Sequence, residues 1–354
     1  MEPPGRFGFY DTIAGMSEVL YRKYRPSTFA DVIGQDHIVA TLEAQVKNGT
    51  VAHAYLFSGS RGTGKTSIAR ILARELGTSP NDIYEIDAAS NTSVDDVRAL
   101  NESVSTLPFD SKYKVYILDE VHMLSKSAAN ALLKTLEEPP EHVIFILATT
   151  ETHKIPETVL SRCECYVFKK PNQEILKKVA LNVAKKEGYT ISESSAELIA
   201  LIGDGSFRDT LGTLQKVLSA AKGKKVNEDE VELVTGAPKG ELVNTIIAGI
   251  AEKDVQKSLG AVSVAVAANL DISVLLKLLL QKMRAVLLIR FGSADMVKGE
   301  LSEEDFKFIS QIAADKSVEI GSEAIVKLLD AYTATGRAYI ASLPLELALV
   351  EIME

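Results

Sequence analysis

The sequence predicts a chain of mixed class, with an α/β module followed by all-α modules. In its first half, short apolar runs alternate with helical patterns, as in βαβ units built around a parallel sheet. The apolar runs are nearly unbroken, which is typical of strands that are covered on both faces. From residue 172 onward the sequence shows helical periodicity and no convincing strand. The sheet is therefore expected in the first half and only helices in the second.

Five short apolar runs are the predicted strands: Ala54–Ser58, Ile83–Ile86, Val115–Leu118, Val143–Leu147 and Cys165–Phe168. Helices are predicted between them, including Lys65–Leu76 and Ser127–Glu137, and Pro139 and Pro140 end the second of these. Beyond Pro171, further helices are expected at Gln173–Glu187, Ser192–Leu201, Ser206–Ala221 and Asn227–Val234.

The length of 354 residues suggests two or three domains, at roughly 100–200 residues each. The pattern changes near residue 170, and glycines and a proline interrupt the helices near residue 236. We therefore expect a leader or tag-like segment at residues 1–15, an α/β module at 16–170, a small helical module at 171–236 and a larger helical module at 237–354. In this interpretation Met16 is the natural start.

The composition excludes several classes of protein. With 46% hydrophobic and 25% charged residues the chain is close to the globular average, so it is not wholly disordered. The net charge of −9 is spread over both halves, which disfavours a protein that coats nucleic acid generally. Cys163 and Cys165 are the only cysteines, so a disulfide framework and a four-thiolate zinc site are excluded.

Targeting signals and histidine clusters are not found in the sequence. The first 15 residues lack a secretory signal, and lysines and an arginine interrupt the most apolar stretch, Val274 to Ile289. We therefore expect a cytoplasmic protein without membrane partners. The histidines are scattered without metal-ligand spacing, and we assign catalysis to none of His37, His53, His122, His142 and His153.

Residues 59–66, with the sequence GSRGTGKT, fit the pattern G-x-x-x-x-G-K-[ST] between a predicted strand and a predicted helix. Glycines let successive backbone N–H groups point at phosphate oxygens, and the helix N-terminus favours an anion. Lys65 is expected to reach the β- and γ-phosphates, and the Thr66 hydroxyl to bind Mg²⁺. A chance glycine turn is the alternative. The ligand-binding residues predicted here are Gly59, Arg61, Gly62, Thr63, Gly64, Lys65, Thr66 and Ser67.

A pair of carboxylates ends the third predicted strand. Nucleotide hydrolysis needs groups that hold Mg²⁺ and orient the attacking water. Asp119 is expected to hold the metal, directly or through water, and Glu120 to orient and polarise the water. A surface turn is the alternative, which the neighbouring phosphate loop disfavours.

Longer stretches carry a resemblance to a known family: residues 21–26 (YRKYRP), 32–35 (VIGQ), 85–91 (EIDAASN), 118–125 (LDEVHMLS), 130–140 (NALLKTLEEPP), 147–150 (LATT), 161–163 (SRC) and 205–209 (GSFRD). They resemble the AAA+ ATPases and, within them, the gamma/tau subunits of bacterial DNA polymerase III clamp loaders. The resemblance extends over about residues 17–222. It implies a P-loop AAA+ parallel-sheet module, a helical lid domain and a C-terminal helical collar domain for oligomerisation, with ATP and Mg²⁺ as ligands.

The resemblance also implies roles for three further residues. Thr150 resembles sensor 1, which positions water against the γ-phosphate, and Arg208 resembles sensor 2, which contacts the γ-phosphate from the lid. Arg162 resembles the arginine finger that acts on ATP in the neighbouring subunit. Each has a structural alternative, namely a strand end for Thr150, a surface cation for Arg162 and an ion pair on its own helix for Arg208.

The resemblance further implies a wall that receives the adenine base. The matching residues are Tyr21, Arg25, Pro26, Val32 and Ile33. Ordinary packing is nearly as good an interpretation of the aromatic residues in this segment.

Family members assemble with other clamp-loader subunits into a pentameric spiral around primer–template DNA and act on a sliding clamp. Arg98, Ser125 and Lys126 match helix starts that meet DNA phosphates, and solvated charge is the alternative. The segment Gly77–Asp82 is short and contains no cysteine, whereas bacterial members usually carry a zinc module there, so zinc is not expected. From the resemblance we also expect a gamma-like length, without a tau-type extension.

The sequence as a whole predicts an ATP-driven clamp-loader motor subunit that opens a sliding clamp, places it on primed DNA and hydrolyses ATP for release. Its expected location is the cytoplasm, in association with the nucleoid. The alternatives are another AAA+ remodeller such as a branch-migration motor, a non-catalytic structural clamp-loader subunit, and a small-molecule P-loop kinase. The complete set of phosphate-loop and acidic residues disfavours the structural subunit, and the long helical second half disfavours the kinase.

Overall fold

The computed structural model describes residues 18–90, 94–297, 301, 303–315 and 320–354. The expected leader at residues 1–15 lies outside this part of the chain. Two compact units are present, one comprising the chain through Val183 together with Gly203–Gln215, and the other comprising Ala184–Ile202 and Lys216–Glu354.

A five-stranded parallel sheet forms the centre of the first unit. Its strands are β1 (Ala54–Ser58), β2 (Ile83–Asp87), β3 (Lys114–Asp119), β4 (Val143–Thr149) and β5 (Glu164–Val167). All five predicted strands are present, with ends that differ by at most two residues. The spatial order is β2-β3-β4-β1-β5, with Leu56 of β1 opposite Leu147 of β4 and Cys165 of β5. Every residue of β1 and β4 is buried, which explains their unbroken apolar runs.

Helices connect the strands and cover the sheet. The helices in the chain up to residue 220 are α1 (Leu20–Lys23), α2 (Asp36–Asn48), α3 (Lys65–Glu75), α4 (Val94–Val104), α5 (Lys126–Glu137), α6 (Glu157–Leu160), α7 (Gln173–Lys186), α8 (Glu193–Gly203) and α9 (Phe207–Ala220). The helical side chains that pack on the sheet come from α2 to α6. The predicted class of an α/β module with a parallel sheet is therefore confirmed.

Alternation along β1 divides the core of the first unit into two layers. Tyr55 and Phe57 point to the layer that contains Leu72 of α3, while Leu56 points to the layer that contains Leu132 of α5. All five side chains are at most 2% exposed. Burial of each such side chain stabilises the fold by about 1.5–3 kcal/mol, so both helical layers hold the sheet rigidly.

The second unit is mainly helical, and side chains between Val243 and Met353 form an apolar core within it. The helices after residue 220 belong to this unit and are α10 (Glu228–Thr235), α11 (Gly240–Glu252), α12 (Val255–Ala267), α13 (Ile272–Arg290), α14 (Glu303–Ala314), α15 (Ser322–Thr335) and α16 (Leu343–Met353). Leu275, Leu279 and Met283 of α13 are fully buried and pack with Leu328 of α15 and Leu349 of α16. Among the described residues, none of these helices combines the length and the hydropathy needed to cross a bilayer.

The expectation of a second half without strands is wrong in one detail. Thr190–Ile191 and Lys225–Val226 form a short parallel pair, β6 and β7, within the second unit. Two-residue strands are too short to leave an alternating pattern in the sequence, so periodicity could not predict them.

A buried charge lies between helices of the second unit. Lys282 of α13 is 3% exposed, and its Nζ donates to Asp305 Oδ1 at 2.6 Å and to Asn244 Oδ1 at 2.9 Å. Burial lowers the pKa of Lys282, and the Asp305 carboxylate acts in the opposite direction. The ion pair therefore compensates part of the desolvation of the ammonium group and ties α13 to α11 and α14.

Two leucines of the first unit provide a matched test of the core. Leu72 is fully buried whereas Leu107 is 78% exposed. We expect Leu72→Ala to lower the free energy of unfolding by about 2–5 kcal/mol, because it leaves a cavity. Leu107→Ala should change it by less than about 0.5 kcal/mol. Urea unfolding measures both, and equal losses would contradict the assigned layer.

Candidate nucleotide-binding site

The loop between β1 and α3 has a backbone that requires glycine. Gly59, Gly62 and Gly64 have φ angles of 146°, 75° and 104°. A Cβ atom on Gly59 would lie 2.7 Å from the Phe168 carbonyl oxygen, and one on Gly62 would lie 2.0 Å from Ser206 Oγ. Side chains at these positions would therefore clash as well as strain the backbone.

The same loop leaves the start of α3 uncapped by a side chain. Its N-cap residue is Gly64, which makes no side-chain cap. The first N–H groups of a helix lack partners within the helix, and the helix dipole adds positive potential there. The end of β1 thus presents the arrangement of donors that binds phosphate groups.

Lys65 begins α3 and folds back over the loop. It is 6% exposed, and its Nζ donates to the carbonyl oxygens of Gly59 at 2.7 Å and Ser60 at 2.9 Å. Burial lowers the pKa of Lys65, while the carboxylates of Glu120 and Asp119 act to raise it. The ammonium group is therefore held inside the pocket close to two negative charges.

Two oxygen ligands suited to Mg²⁺ meet at the end of β3. The Thr66 hydroxyl donates to Asp119 Oδ2 at 2.9 Å, and the other carboxylate oxygen accepts the Glu120 N–H at 3.1 Å. Mg²⁺ prefers hard oxygen ligands and typically takes only one or two protein groups besides water and phosphate. The hydroxyl–carboxylate pair therefore fits the predicted metal.

Glu120 follows Asp119 in a left-handed backbone conformation with a φ of 51°. Its Oε2 accepts the Thr150 O–H at 2.9 Å and the Thr150 N–H at 3.2 Å. The two residues are 30 positions apart, and they meet because β3 and β4 are neighbours in the sheet. In this structure the side chain expected to act as sensor 1 therefore binds the carboxylate expected to orient water.

His122, to which the sequence assigned no role, is part of the same cluster. Its side chain is 6% exposed, with Nδ1 at 3.0 Å from Thr149 Oγ1 and 3.3 Å from Glu120 Oε2. Its Nε2 lies 3.3 Å from Glu151 Oε1. No sequence spacing indicated this cluster, because it depends on which strands are neighbours.

An apolar wall closes the other side of the pocket. Val32 and Ile33 line it as predicted, and Ile33 is half exposed. Val179 of α7 and Phe207 and Leu211 of α9, which the sequence did not single out, also line it. Phe207 and Leu211 could have been found from the sequence, because residues four apart on a helix lie on the same face.

Cations border the same pocket. Arg208 of α9 lies over the ring of Tyr21, 5.8 Å from its centroid. The pKa of Arg25 is lowered, first by burial and then by the neighbouring guanidinium groups of Arg70 and Arg208. This crowding of positive charge is unfavourable unless an anion binds, which is what the phosphates of a nucleotide would supply.

Most predicted ligand-binding residues line this single pocket: Tyr21, Arg25, Pro26, Val32, Ile33, Arg61, Gly62, Thr63, Gly64, Lys65, Thr66, Ser67, Asp119, Glu120 and Arg208. Gly59 contributes the carbonyl that binds the Lys65 ammonium, and Thr150 reaches the pocket through Glu120.

Arg162 lies outside the pocket, just after α6. It donates to the Thr158 carbonyl at 2.6 Å and forms an ion pair with Glu137. Its side chain is 30% exposed and that of Glu137 is 50% exposed. Partial exposure of this guanidinium is compatible with the predicted arginine finger and also with a surface cation that has no catalytic role.

The three residues predicted to contact DNA lie at or near helix starts, away from the pocket lining. Arg98 of α4 is exposed and pairs with Asp95 at 3.0 Å, one turn earlier. Ser125 is the N-cap of α5, where its Oγ accepts the Ala128 N–H at 3.2 Å, and Lys126 is the first residue of that helix. Ser125 therefore has a structural role that is independent of any DNA contact.

Comparison with known proteins identifies the family. The family model described as DNA polymerase III, delta subunit matches residues 34–87 and 77–172. The DNA polymerase III subunit gamma of Buchnera aphidicola is 39% identical over 259 residues, which cover 67% of this chain and 70% of that protein. The chain belongs to the DNA polymerase III gamma/tau family.

Other gamma/tau proteins are longer than this chain. The tau subunits of Bacillus subtilis and Escherichia coli are each 36% identical to it, over 334 and 298 residues. These matches cover 88% and 78% of the chain but only 58% and 46% of the two relatives, so the chain spans about half of their length.

Solved structures agree on the fold. The Holliday junction branch migration motor RuvB of Thermotoga maritima matches with a TM-score of 0.52 and 25% identity, over 65% of this chain and 80% of that one. The fold is accordingly an AAA+ module with additional helical regions.

Two glycines with the same φ of 75° provide a matched test of the phosphate loop. Gly77→Ala adds a Cβ in open space, so it should cost only the left-handed backbone penalty of about 1–2 kcal/mol. Gly62→Ala adds the clash with Ser206, so its loss of unfolding free energy should be larger by at least about 1 kcal/mol. Chemical unfolding of both variants measures the difference, and equal losses would contradict the described loop.

Proposed function

We propose that this protein is the ATP-driven motor subunit of a DNA polymerase clamp loader, which opens a sliding clamp and places it on primed DNA. Hydrolysis of ATP would then release the loader. The observation that carries the proposal is the convergence of Lys65, Thr66, Asp119 and Glu120 on one pocket with an apolar wall. Membership of the gamma/tau family supports the clamp-loader context, and a cytoplasmic location at the nucleoid follows from it.

The pocket has complementary groups for each part of ATP. The N–H groups at the start of α3 and the Lys65 ammonium suit the phosphates, and Lys65 would exchange its two loop carbonyls for phosphate oxygens. Arg25 and Arg208 supply further positive charge. The wall that includes Ile33 and Leu211 suits a purine base, because it buries apolar surface on both sides of the cleft.

Thr66 and Asp119 are the residues that would hold Mg²⁺. When bound, the ion withdraws charge from the phosphate oxygens and so favours phosphoryl transfer. Glu120 is suited to take a proton from water, because the hydrogen bonds it accepts from described residues reach Oε2 and leave Oε1 available.

Arg162 is proposed to act on the ATP of a neighbouring subunit in an assembled spiral. Its partly exposed position beside Glu137 supports this proposal, because the guanidinium can change partners without unfolding the core. A finger supplied in this way contributes about 10³–10⁵ in rate, since it neutralises charge that develops in the transition state.

A branch-migration motor is the second candidate, favoured by the fold shared with RuvB. Sequence identity supports the clamp loader instead, since it is 25% with RuvB and 36–39% with the two tau subunits and the gamma subunit.

The function is tested by ATP turnover with and without primed DNA plus a sliding clamp. We expect DNA and clamp together to stimulate turnover, and Lys65→Ala to lower it at least about 100-fold, because charge stabilisation of the phosphates is lost. Lys47→Ala, at an exposed position of α2, is the matched control and should retain turnover. Turnover indifferent to DNA and clamp would contradict the clamp-loader role, and normal turnover by Lys65→Ala would contradict the phosphate site.

The finger in trans is tested by mixing two inactive proteins, Arg162→Ala and Glu120→Gln. At some interfaces the intact Glu120 of one protein should meet the intact Arg162 of the other, so mixing should restore part of the hydrolysis rate. A control mixture adds the double variant Glu120→Gln/Arg162→Ala to the Arg162→Ala protein and should stay inactive. Absence of restoration in the first mixture would count against a finger in trans.

A further inference from the structure

His122 is a buried polar side chain that the proposed reaction does not use. It lies in the turn Val121–Met123, directly after Glu120, and is 6% exposed. Both ring nitrogens nevertheless lie close to oxygen atoms, and the groups around the ring come from two strand ends. The ring therefore connects the end of β3 to the segment that follows β4.

The partner of Nε2 determines where the ring carries a proton. Nε2 lies 3.3 Å from Glu151 Oε1, and the other oxygen of Glu151 accepts from the Lys154 ammonium at 2.8 Å. The Lys154 hydrogen bond is the main cause that lowers the pKa of Glu151, with the charges of Lys154, His122 and His153 adding to it. A carboxylate oxygen accepts hydrogen bonds, so the position of Glu151 favours a ring proton on Nε2.

Nδ1 then faces the carboxylate that the proposed reaction depends on. It lies 3.0 Å from Thr149 Oγ1 and 3.3 Å from Glu120 Oε2. The Thr149 hydroxyl is fully buried and already accepts the Glu151 N–H at 3.0 Å. A neutral ring accepts the Thr149 O–H at Nδ1, whereas a charged ring donates to Glu120 or Thr149.

In both states the ring occupies the space beside Glu120 Oε2. On the other side, the N–H and O–H of Thr150 donate to the same oxygen. The carboxylate is thereby held between two elements, with a backbone at Glu120 that is already restricted to a left-handed φ of 51°. Side-chain freedom of a glutamate would otherwise let the carboxylate turn away from the pocket.

We propose that His122 is a positioning residue for Glu120, anchored by Glu151 and Thr149, which keeps the free carboxylate oxygen directed at the attacking water. This inference rests on the proposed function, because it concerns the same hydrolysis. It assigns His122 to the chemical step and not to the binding of ATP.

Two substitutions, one apolar and one polar, separate this role from simple packing. His122→Leu fills the space without a polar group, whereas His122→Asn can place its amide close to the position of Nδ1. We expect kcat of the loader assembled with its partner subunits, clamp and primed DNA to fall about 10- to 100-fold for His122→Leu, because small misplacement of a catalytic group is costly. His122→Asn should remain within about threefold of the wild type. Binding of a fluorescent ATP analogue should be unchanged in both.

His142→Leu is the matched control, since its Nε2 bonds the Thr106 carbonyl, at 3.1 Å, near the other end of the sheet. It should leave kcat unchanged. If the wild-type assembly does not hydrolyse ATP, the proposed function itself fails. If it does, the inference is overturned by normal turnover of His122→Leu, by equal losses in His122→Asn and His122→Leu, or by a loss of analogue binding that parallels the loss of turnover.

Discussion

The order of the parallel sheet is the constraint on which the candidate site depends. Because β4 lies between β1 and β3, the carboxyl ends of these three strands meet at one edge. The glycine loop follows β1, the carboxylates Asp119 and Glu120 end β3, and Thr150 follows β4. Groups that are distant in sequence thus come within hydrogen-bond distance, as is general for ligand sites in open α/β sheets. Burial of both faces of the sheet keeps these ends in place.

Left-handed backbone conformations and a buried charge lie where the chemistry is proposed. Gly62 and Glu120 have positive φ angles, and Lys65 is buried with its ammonium on two loop carbonyls. Such features lower the stability of a fold unless the surroundings enforce them. Here the enforcement comes from packing against Ser206 and from hydrogen bonds with Thr150.

Local pattern was sufficient for the sheet and the phosphate loop but not for the groups around Glu120. The strand β4 is an almost unbroken apolar run that predicts burial on both faces. The glycines of the phosphate loop stand where the backbone has positive φ angles, so their spacing in the sequence predicts the loop. The involvement of His122 could not be predicted, because Thr149 and Glu151 lie about 30 residues away and become its neighbours only through strand pairing. The pair β6–β7 was not predicted, because a strand of two residues is too short to show an alternation of apolar and polar residues.

The sequence by itself determined the fold class, the chemistry of the phosphate loop and the family. These depend on residue types at short spacing, where backbone conformation and hydrophobic burial act locally. Only the tertiary structure decided that Val179 and Leu211 complete the apolar wall and that Thr150 and His122 both lie against Glu120. The physical reason is that hydrogen bonds and apolar contacts between distant segments depend on the order of strands and the packing of helices, which no local pattern specifies.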